Sequence, residues 1–293
     1  MLDLSNYSGA TRVIYVVGDP ISQVKSPFGV TELLRQRSVD SIVVPAHVVA
    51  ADLAAWLAAM QTMRNCDGII VTVPHKFAAL GSCRHATAQA QSIGAVNVMR
   101  REPGGGWYGD MCDGTGYVAG LRHSGCEPRG LRALLVGAGG AGSAIAHALV
   151  DAGVASLALH DADAQRRDDL ARKLRAYGGA ALETGSDSPK GYDLVINATP
   201  MGMRAGDPLP MRVDLLASST FVGDVVTMPA VPPLIARARA VGCRTMTGAT
   251  MFEAVRDRMV DFLLESPPRT APTGECGIET GDEDATKAAA TSR

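Results

Sequence analysis

A glycine-rich turn near the middle of the chain constrains the fold more than any other feature. Gly137-Ala138-Gly139-Gly140-Ala141-Gly142 follows Ala133–Val136, a run typical of a buried strand, and precedes Ser143–Ala152, a run typical of a helix. At such a turn the first glycine permits a tight bend, the second admits a pyrophosphate, and the last lets helix and strand pack closely. The helix N-terminus adds N–H donors for phosphates. The segment therefore predicts a dinucleotide-binding unit.

An acidic residue supports this prediction and bears on the choice of cofactor. Asp161 ends the next predicted strand, about 20 residues after the turn, where a carboxylate holds the ribose 2′-hydroxyl of NAD. The same charge repels the 2′-phosphate of NADP. Arg166 and Arg167 follow one helical turn later and could still reach a phosphate. We expect a nicotinamide dinucleotide, with NAD preferred and NADP left open.

Alternating strand and helix patterns on both sides of the turn predict an α/β fold. The chain has 293 residues, enough for about two domains. Arg12–Val17, Val39–Pro45 and Gly68–Val73 read as strands of a largely parallel sheet. The pattern also predicts a helix over 85–91 and a strand over 93–99. From residue 265 onward the composition shifts to Ser, Pro, Thr, Gly and Ala, which predicts a disordered tail over 265–293.

Composition excludes several classes of function. Lys and Arg number 28 against 30 Asp and Glu, a net charge of -2, so nothing favours a nucleic acid or a membrane surface as partner. No apolar run reaches the ~18 residues of a membrane span. The six cysteines are scattered without metal-ligand spacing. We expect no metal, reduced thiols, no signal peptide and a cytoplasmic location.

A lysine at the end of a predicted strand is the leading catalytic candidate. The strand Gly68–Val73 stops at Pro74, and His75 and Lys76 follow. Parallel-sheet proteins bind ligands just outside the carboxyl ends of their strands, which is where Lys76 would lie. On this stretch alone, a solvated loop lysine is the commoner interpretation.

Further motifs join these two into a pattern that resembles the shikimate dehydrogenase family, which includes quinate/shikimate dehydrogenases. The resemblance covers about residues 12–264. Its motifs are Gly18-Asp19-Pro20-Ile21, Lys25-Ser26-Pro27, Val71-Thr72-Val73-Pro74-His75-Lys76, Ile93-Gly94-Ala95-Val96-Asn97, Asp113-Gly114-x-Gly116, Gly137 to Gly142, Asn197-Ala198-Thr199-Pro200-Met201-Gly202-Met203, and Asp224-Val225-Val226 with Pro229 and Pro232-Pro233-Leu234.

The resemblance implies two α/β domains with a cleft between them. By this reading 1–112 form a substrate-binding catalytic domain, 113–247 a Rossmann NAD(P)-binding domain, and 248–264 a helix that returns to the first domain. The cofactor would be bound by residues of four loops: Gly137, Gly139, Gly140, Ala141, Gly142, Asp161, Thr199, Met201, Met203 and Val225. The partner is a small cyclic hydroxy acid, and we expect a monomer or a homodimer.

By motif position the family's acid/base pair falls on Lys76 and Asp113. Oxidising a secondary alcohol requires its proton to leave as hydride departs, and a lysine with a carboxylate beside it suits that task. The resemblance also retains Ser26, Thr72 and Asn97 as substrate contacts. Three polar positions of the family are apolar here: Val24 replaces a hydroxyl that binds the substrate carboxylate, Ile70 an amide that contacts a ring hydroxyl, and Val255 a substrate-facing glutamine.

These apolar replacements leave the substrate open. Each unpaired substrate hydroxyl would cost about 1–3 kcal/mol. Either other residues compensate, or the substrate is less hydroxylated than shikimate. Two other classes of protein compete with an oxidoreductase. One is a catalytically inactive nucleotide-binding regulator on the same fold, and the other is an enzyme of non-redox chemistry. Two individual residues also have alternative roles: Asp113 as the cap of a turn, and Cys112 as a nucleophile.

Overall fold

The computed structural model describes residues 7–265, so the predicted disordered tail lies outside the described residues except for Glu265. The secondary structure of the first half consists of β1 Arg12–Gly18, α1 Ser26–Gln36, β2 Ser41–His47, α2 Leu53–Met60, β3 Cys66–Val71, α3 Lys76–Leu80, β4 His85–Ala86, α4 Ala88–Ile93, β5 Val98–Arg101 and β6 Trp107–Asp110. No helix among the described residues is long and apolar enough to cross a membrane.

The first sheet is mixed rather than largely parallel. Its order is β2-β1-β3-β5-β6-β4, with β1, β2 and β3 parallel and β5 antiparallel to both β3 and β6. The glycines at 104–106 turn the chain directly from β5 into β6. A loop this short allows only an antiparallel pair, because a parallel crossover needs a dozen or more residues.

The segment 85–99 was predicted wrongly in its boundaries. A helix was expected over 85–91, yet His85 and Ala86 pair with β6, and the helix α4 begins after Thr87. The Thr87 hydroxyl caps that helix by accepting a hydrogen bond from the Ala90 N–H (3.2 Å). Gly94, at φ 81°, ends it. The strand expected from Ile93 therefore starts only at Val98.

The second half contains α5 Asp113–His123, β7 Arg132–Val136, α6 Gly140–Asp151, β8 Ser156–His160, α7 Ala164–Tyr177, β9 Ala181–Thr184, β10 Leu194–Asn197, β11 Phe221–Asp224, α8 Pro233–Val241, β12 Arg244–Met246 and α9 Gly248–Leu264. Its six strands form one parallel sheet in the order β12-β11-β10-β7-β8-β9. The predicted α/β class with a Rossmann-type unit is confirmed. Strand β9 is an exposed edge without apolar alternation, and the sequence pattern missed it.

Two helices join the sheets. Helix α5 begins at Asp113, four residues before the expected start at Tyr117, and packs on α6 and α9. Glycines permit this close packing: a Cβ at Gly114 would overlap the Ala144 carbonyl, and one at Gly116 would overlap Val255. Helix α9 packs on α1, β3 and β5 of the first sheet. The domain bounds at 112/113 and 247/248 stay a prediction.

Candidate active site

Four segments that carry predicted site residues meet at one edge of the first sheet. Strands β1 and β3 are parallel, so their carboxyl ends lie together. Strand β5 is antiparallel to β3 and begins at this edge, where the Val71 N–H donates to the Asn97 carbonyl (2.7 Å). Strand β6 ends there, just before Asp113. Strand pairing therefore gathers Thr72, Lys76, Asn97 and Asp113 from distant parts of the chain.

Lys76 and Asp113 form an ion pair through Nζ and Oδ2, with side chains only 15% and 7% exposed. The other oxygen, Oδ1, accepts a hydrogen bond from Nδ2 of Asn97 (2.7 Å). The amide of Asn97 is itself held, because its Oδ1 accepts from the Cys112 N–H (2.8 Å). Both oxygens of Asp113 are thus engaged, which fixes the orientation of the carboxylate toward the lysine.

His75 anchors the turn that presents Lys76, a role that the sequence reasoning missed. Its ring is 1% exposed, and Nε2 bonds to the Val48 carbonyl (2.7 Å), which makes this nitrogen the donor. The His75 N–H donates to the Thr72 carbonyl (2.9 Å), and the Val96 N–H donates to the Lys76 carbonyl (3.0 Å). Lys76 is therefore the first residue of α3 rather than part of a solvated loop.

The lysine also touches the second sheet's glycine turn. A Cβ built on Gly140 would lie 3.1 Å from both Cβ and Cδ of Lys76, so the lysine stem covers the first turn of α6. The structure thus brings the candidate acid/base group to the candidate cofactor turn. Phe77, the next residue, lies beneath the ammonium of Lys173 on α7 (5.9 Å to the ring centroid), and Lys173 Nζ donates to the Ile93 carbonyl (3.2 Å).

The glycine turn has the form that a pyrophosphate requires. Gly137 adopts φ 108°, which favours glycine, and a Cβ at Gly142 would overlap the Gly137 carbonyl. A Cβ at Gly139 would meet nothing within 4 Å, so open space faces the backbone there. Ala141 lies half-buried in the first turn of α6. A dinucleotide fits this N-terminus, which offers N–H donors and room.

Asp161 lies against the glycine turn. Its Oδ2 accepts a hydrogen bond from the Ala138 N–H (2.7 Å), and its Oδ1 accepts from the Asp163 N–H (2.9 Å). Arg166 approaches it, with Nη1 3.7 Å from Oδ1, and also lines a cavity of about 320 Å³ beside Ala138. Arg167 turns instead to Asp168 (Nε–Oδ1 2.8 Å). Of the two arginines considered from sequence, Arg166 is the one near the ribose position.

Four more of the expected cofactor residues lie after two neighbouring strands, and Met201 and Met203 are the two that the resemblance places at the nicotinamide. Thr199, Met201 and Met203 follow β10, Val225 follows β11, and all four are half-buried. The loop after β10 is ordered by its own hydrogen bonds: the Met201 N–H donates to Thr199 Oγ1 (3.1 Å). The loop after β10 and the glycine turn after β7 flank the point where strand order reverses, which is the usual ligand position in such sheets, and the loop after β11 lies next to them.

The substrate candidates divide into polar and apolar positions. Ser26 is buried in the first turn of α1, with Lys25 rather than Ser26 as the N-cap, and Thr72 is half-buried after β3. Ile70 and Val255 are 3% and 5% exposed and belong to one hydrophobic cluster, against which the half-buried Val24 packs. All three replaced positions therefore belong to, or pack against, the same hydrophobic core cluster.

Cys112 is not an activated thiol. It is 4% exposed, and its Sγ lies 3.5 Å from Oδ2 of Asp110. Burial raises the pKa of this thiol well above its ordinary value, and the neighbouring carboxylates add to the shift. A thiol that stays protonated is a poor nucleophile, which removes the alternative considered for this residue.

Comparison with known proteins agrees with the geometry. A family model described as the shikimate dehydrogenase substrate binding domain matches residues 16–99. The shikimate dehydrogenase (NADP(+)) of Rhodospirillum rubrum is 36% identical over 252 residues, which cover 84% of this chain and 89% of that protein. The chain belongs to the shikimate dehydrogenase family. The resemblance inferred from the motifs is confirmed, and the relative's name does not support the expected preference for NAD.

Solved structures show how widely proteins similar to this shikimate dehydrogenase family member vary. A quinate dehydrogenase from Corynebacterium glutamicum, solved with NAD, has a TM-score of 0.78 at 28% identity, and the match covers 87% of this chain and 94% of that one. A 5-ketofructose reductase of Gluconobacter sp. strain CHM43 has a TM-score of 0.75 at 26% identity, covering 87% and 93%. The names of these two similar proteins differ in substrate, and the quinate dehydrogenase is described with NAD where the Rhodospirillum rubrum relative is named for NADP(+).

Proposed function

We propose that this member of the shikimate dehydrogenase family transfers hydride reversibly between a nicotinamide dinucleotide and a cyclic hydroxy acid, either shikimate or a relative such as quinate, whose oxidised form is the 3-dehydro ketone. The observation that carries the proposal is the contact of the Lys76 stem with Gly140 while its ammonium pairs with Asp113. One residue thereby spans the candidate substrate edge and the candidate cofactor turn.

Lys76 and Asp113 would act as the acid/base pair. A bound nicotinamide supplies or accepts the hydride. In ketone reduction, Lys76 Nζ donates a proton to the oxygen that becomes the hydroxyl; in oxidation, the same nitrogen takes that proton back. Asp113 holds the ammonium in place, and Asn97 holds Asp113 through the hydrogen bond of 2.7 Å. The low exposure of the pair keeps bulk water away from the proton transfer.

Steady-state kinetics on shikimate, quinate and related acids, with NAD and NADP, test the proposal. Turnover of at least one such acid supports an oxidoreductase. Tight dinucleotide binding without turnover on any of them would instead support the regulator. Activity that is indifferent to the cofactor would support non-redox chemistry.

The apolar character of Val24, Ile70 and Val255, where the family has polar groups, supports a substrate with fewer polar groups than shikimate, or one placed differently. Val24 lies in the loop after β1, two residues before Ser26, and is half-buried rather than enclosed. It is the replaced position where a hydroxyl can be restored without burying a polar group in the core. Normal efficiency on shikimate would argue against a re-purposed pocket.

Val24→Ser should therefore improve the use of shikimate. A hydroxyl that donates to a carboxylate contributes about 1.5–3 kcal/mol, so kcat/KM for shikimate should rise roughly tenfold or more. Val241→Ser is the matched control, because Val241 is exposed at the end of α8. An unchanged or lower kcat/KM in Val24→Ser would contradict a carboxylate site at this loop.

NADP is the cofactor we propose, because the family relatives carry it in their names. Arg166 would contact the 2′-phosphate, since its guanidinium lies beside Asp161 and lines the adjoining cavity. Asp161 would weaken this contact through its own charge. The location in the cytoplasm and the monomeric or dimeric state stay predictions.

Asp161→Asn should shift the preference further toward NADP. The amide keeps an acceptor for the Ala138 N–H but removes the negative charge, so the ratio of kcat/KM for NADP over NAD should rise about tenfold. Arg166→Ala should lower the same ratio. Arg167→Ala is the control, because Arg167 pairs with Asp168. A ratio unmoved by both Asp161→Asn and Arg166→Ala would place the 2′-phosphate elsewhere.

A further inference from the structure

A buried polar cluster lies beneath the loops that carry these predicted cofactor contacts. Asp224 ends β11 and is 0% exposed. Its Oδ1 accepts hydrogen bonds from Nδ2 of Asn197 (3.1 Å) and from the Val226 N–H (2.9 Å). Asn197 ends β10, and its Oδ1 accepts from the N–H and the hydroxyl of Thr199 (3.0 and 2.6 Å). One carboxyl group thus ties together the loops after two neighbouring strands.

The other oxygen of this carboxyl group faces an unusual neighbourhood. Among the described residues, Asp224 Oδ2 and the Tyr117 hydroxyl are both buried without a hydrogen-bond partner. Tyr117 lies one turn after Asp113 on α5, and its hydroxyl packs so closely on Gly223 that a Cβ there would overlap it. Buried polar groups are rarely left without a hydrogen bond, because each unpaired group destabilises the fold. Two such groups on adjacent elements therefore indicate a functional role.

We propose that Asp224 is a proton-linked positioning residue: it orders the two cofactor loops, and cofactor binding favours its protonated form. A bound dinucleotide would cover these loops and exclude solvent, which penalises a buried anion. The phosphates of the dinucleotide add like-charge repulsion. Affinity for the cofactor should therefore fall as Asp224 ionises, and the change should occur near neutral pH because burial raises the pKa of Asp224 to about 7.

Within residues 7–265, the titratable groups near this carboxyl group do not account for a transition near neutral pH. Burial raises the pKa of Tyr117 well above its ordinary value, and that of Cys126, behind Tyr117, to about 11, so both stay neutral. Strand β10 contributes Asn197 and β12 contributes Met246, which do not titrate. The charged residues of the packing elements α8 and β12 are exposed; they are Arg237, Arg239 and Arg244.

The raised pKa of Asp224 also predicts how the stability of the cofactor-free protein depends on pH. The pKa of Asp224 lies above its ordinary value of 3.8, so folding disfavours the ionised form. The contribution of protonated Asp224 to the free energy of unfolding is fully present below about pH 4 and is lost progressively as the pH rises to about 7. Asp224→Asn cannot ionise, and its Oδ1 can accept the same two N–H donors. The melting temperature of this variant should therefore increase relative to that of the wild type as the pH rises from 5 to 8.

Binding of NADPH, followed by its fluorescence, tests the proposal without any substrate. NADPH is the probe because its nicotinamide ring is uncharged. Between pH 5.5 and 8.5 the wild-type Kd should rise several-fold with a midpoint near 7, as should that of the control Asp214→Asn, an exposed residue of the same half of the chain. Asp224→Asn should lack the rise with its midpoint near 7 and show only the change that ionisation of the 2′-phosphate of NADPH, at about pH 6, produces in every variant. Asp224→Ala should bind at least tenfold more weakly at every pH.

Tyr117→Phe removes an unpaired hydroxyl beside β11 that could donate to Oδ2 once the carboxylate forms, so its midpoint should move to higher pH. A pH-independent wild-type Kd, or the same transition in Asp224→Asn, would overturn the proposal even if turnover is normal. The proposal rests on cofactor binding, which the proposed function requires. If the wild type bound neither NADPH nor NADH, the proposed function itself would be wrong. That outcome differs from a pH-independent Kd, which would overturn only the proposal for Asp224.

Discussion

Lys76→Ala should abolish turnover while leaving cofactor binding nearly intact. A positioned acid/base group contributes about 10²–10⁴-fold to the rate, and kcat should fall by that factor. The loss should appear in kcat rather than in the Kd for NADPH, because the ammonium pairs with Asp113 and only the alkyl stem touches Gly140. Kinetics in both directions, with fluorescence titration of NADPH alongside, give the two quantities.

Two further variants sharpen this result. Asp113→Asn keeps the shape of the side chain but removes the charge that holds the ammonium, so kcat should fall less than in Lys76→Ala. Lys190→Ala removes an exposed lysine of the other half of the chain and should behave as wild type. If Lys76→Ala retained more than about a tenth of the wild-type kcat, Lys76 would not be the proton-transfer group.

Gly139→Ala should weaken cofactor binding strongly without disturbing the fold. The residue has φ -72° and ψ -169°, which alanine adopts, and a Cβ there meets no protein atom within 4 Å. That same open space is where the backbone would approach a pyrophosphate. A methyl group forced against the phosphates would cost about 1–3 kcal/mol, so the Kd for NADPH should rise roughly ten- to hundredfold. The melting temperature of the free protein should stay unchanged.

Gly142→Ala is the contrasting variant, since it should damage the fold first. A Cβ at residue 142 would overlap the Gly137 carbonyl, so the turn, the strand and the helix cannot keep their spacing. We expect a lower melting temperature, with weaker binding as a consequence. Equal loss of stability in both glycine variants, or tight NADPH binding by Gly139→Ala, would contradict a pyrophosphate at this turn.

The elements that the sequence predicted well are those whose pattern is local. An apolar run that stops at a glycine turn and continues as an apolar helix allows few alternatives, so β7 and α6 were found within a few residues. Short elements with mixed composition were not. His85 and Ala86 form a strand only because β6 lies beside them, and β9 is held by pairing to β8 rather than by apolar alternation.

The candidate site divides in the same way. Lys76, Asp113 and the glycines were identified as residue types in recognisable motifs, and motif position alone paired the lysine with the aspartate. Nothing in the sequence indicated that Asn97 would orient that aspartate, or that His75 would anchor the turn through Val48. These contacts depend on which strands are neighbours, and strand order is not encoded in local periodicity.

The sequence by itself determined the class of the chain and singled out the candidate cofactor turn and the candidate acid/base pair, because glycine spacing and strand-end positions are local signals. Only the tertiary structure decided that the Lys76 stem packs on Gly140, that Asp161 accepts from Ala138, and that Asp224 is buried beside Tyr117. Each of these joins residues of separate elements. Their proximity, burial and charge balance arise only when the two sheets and the helices α5 and α9 pack together.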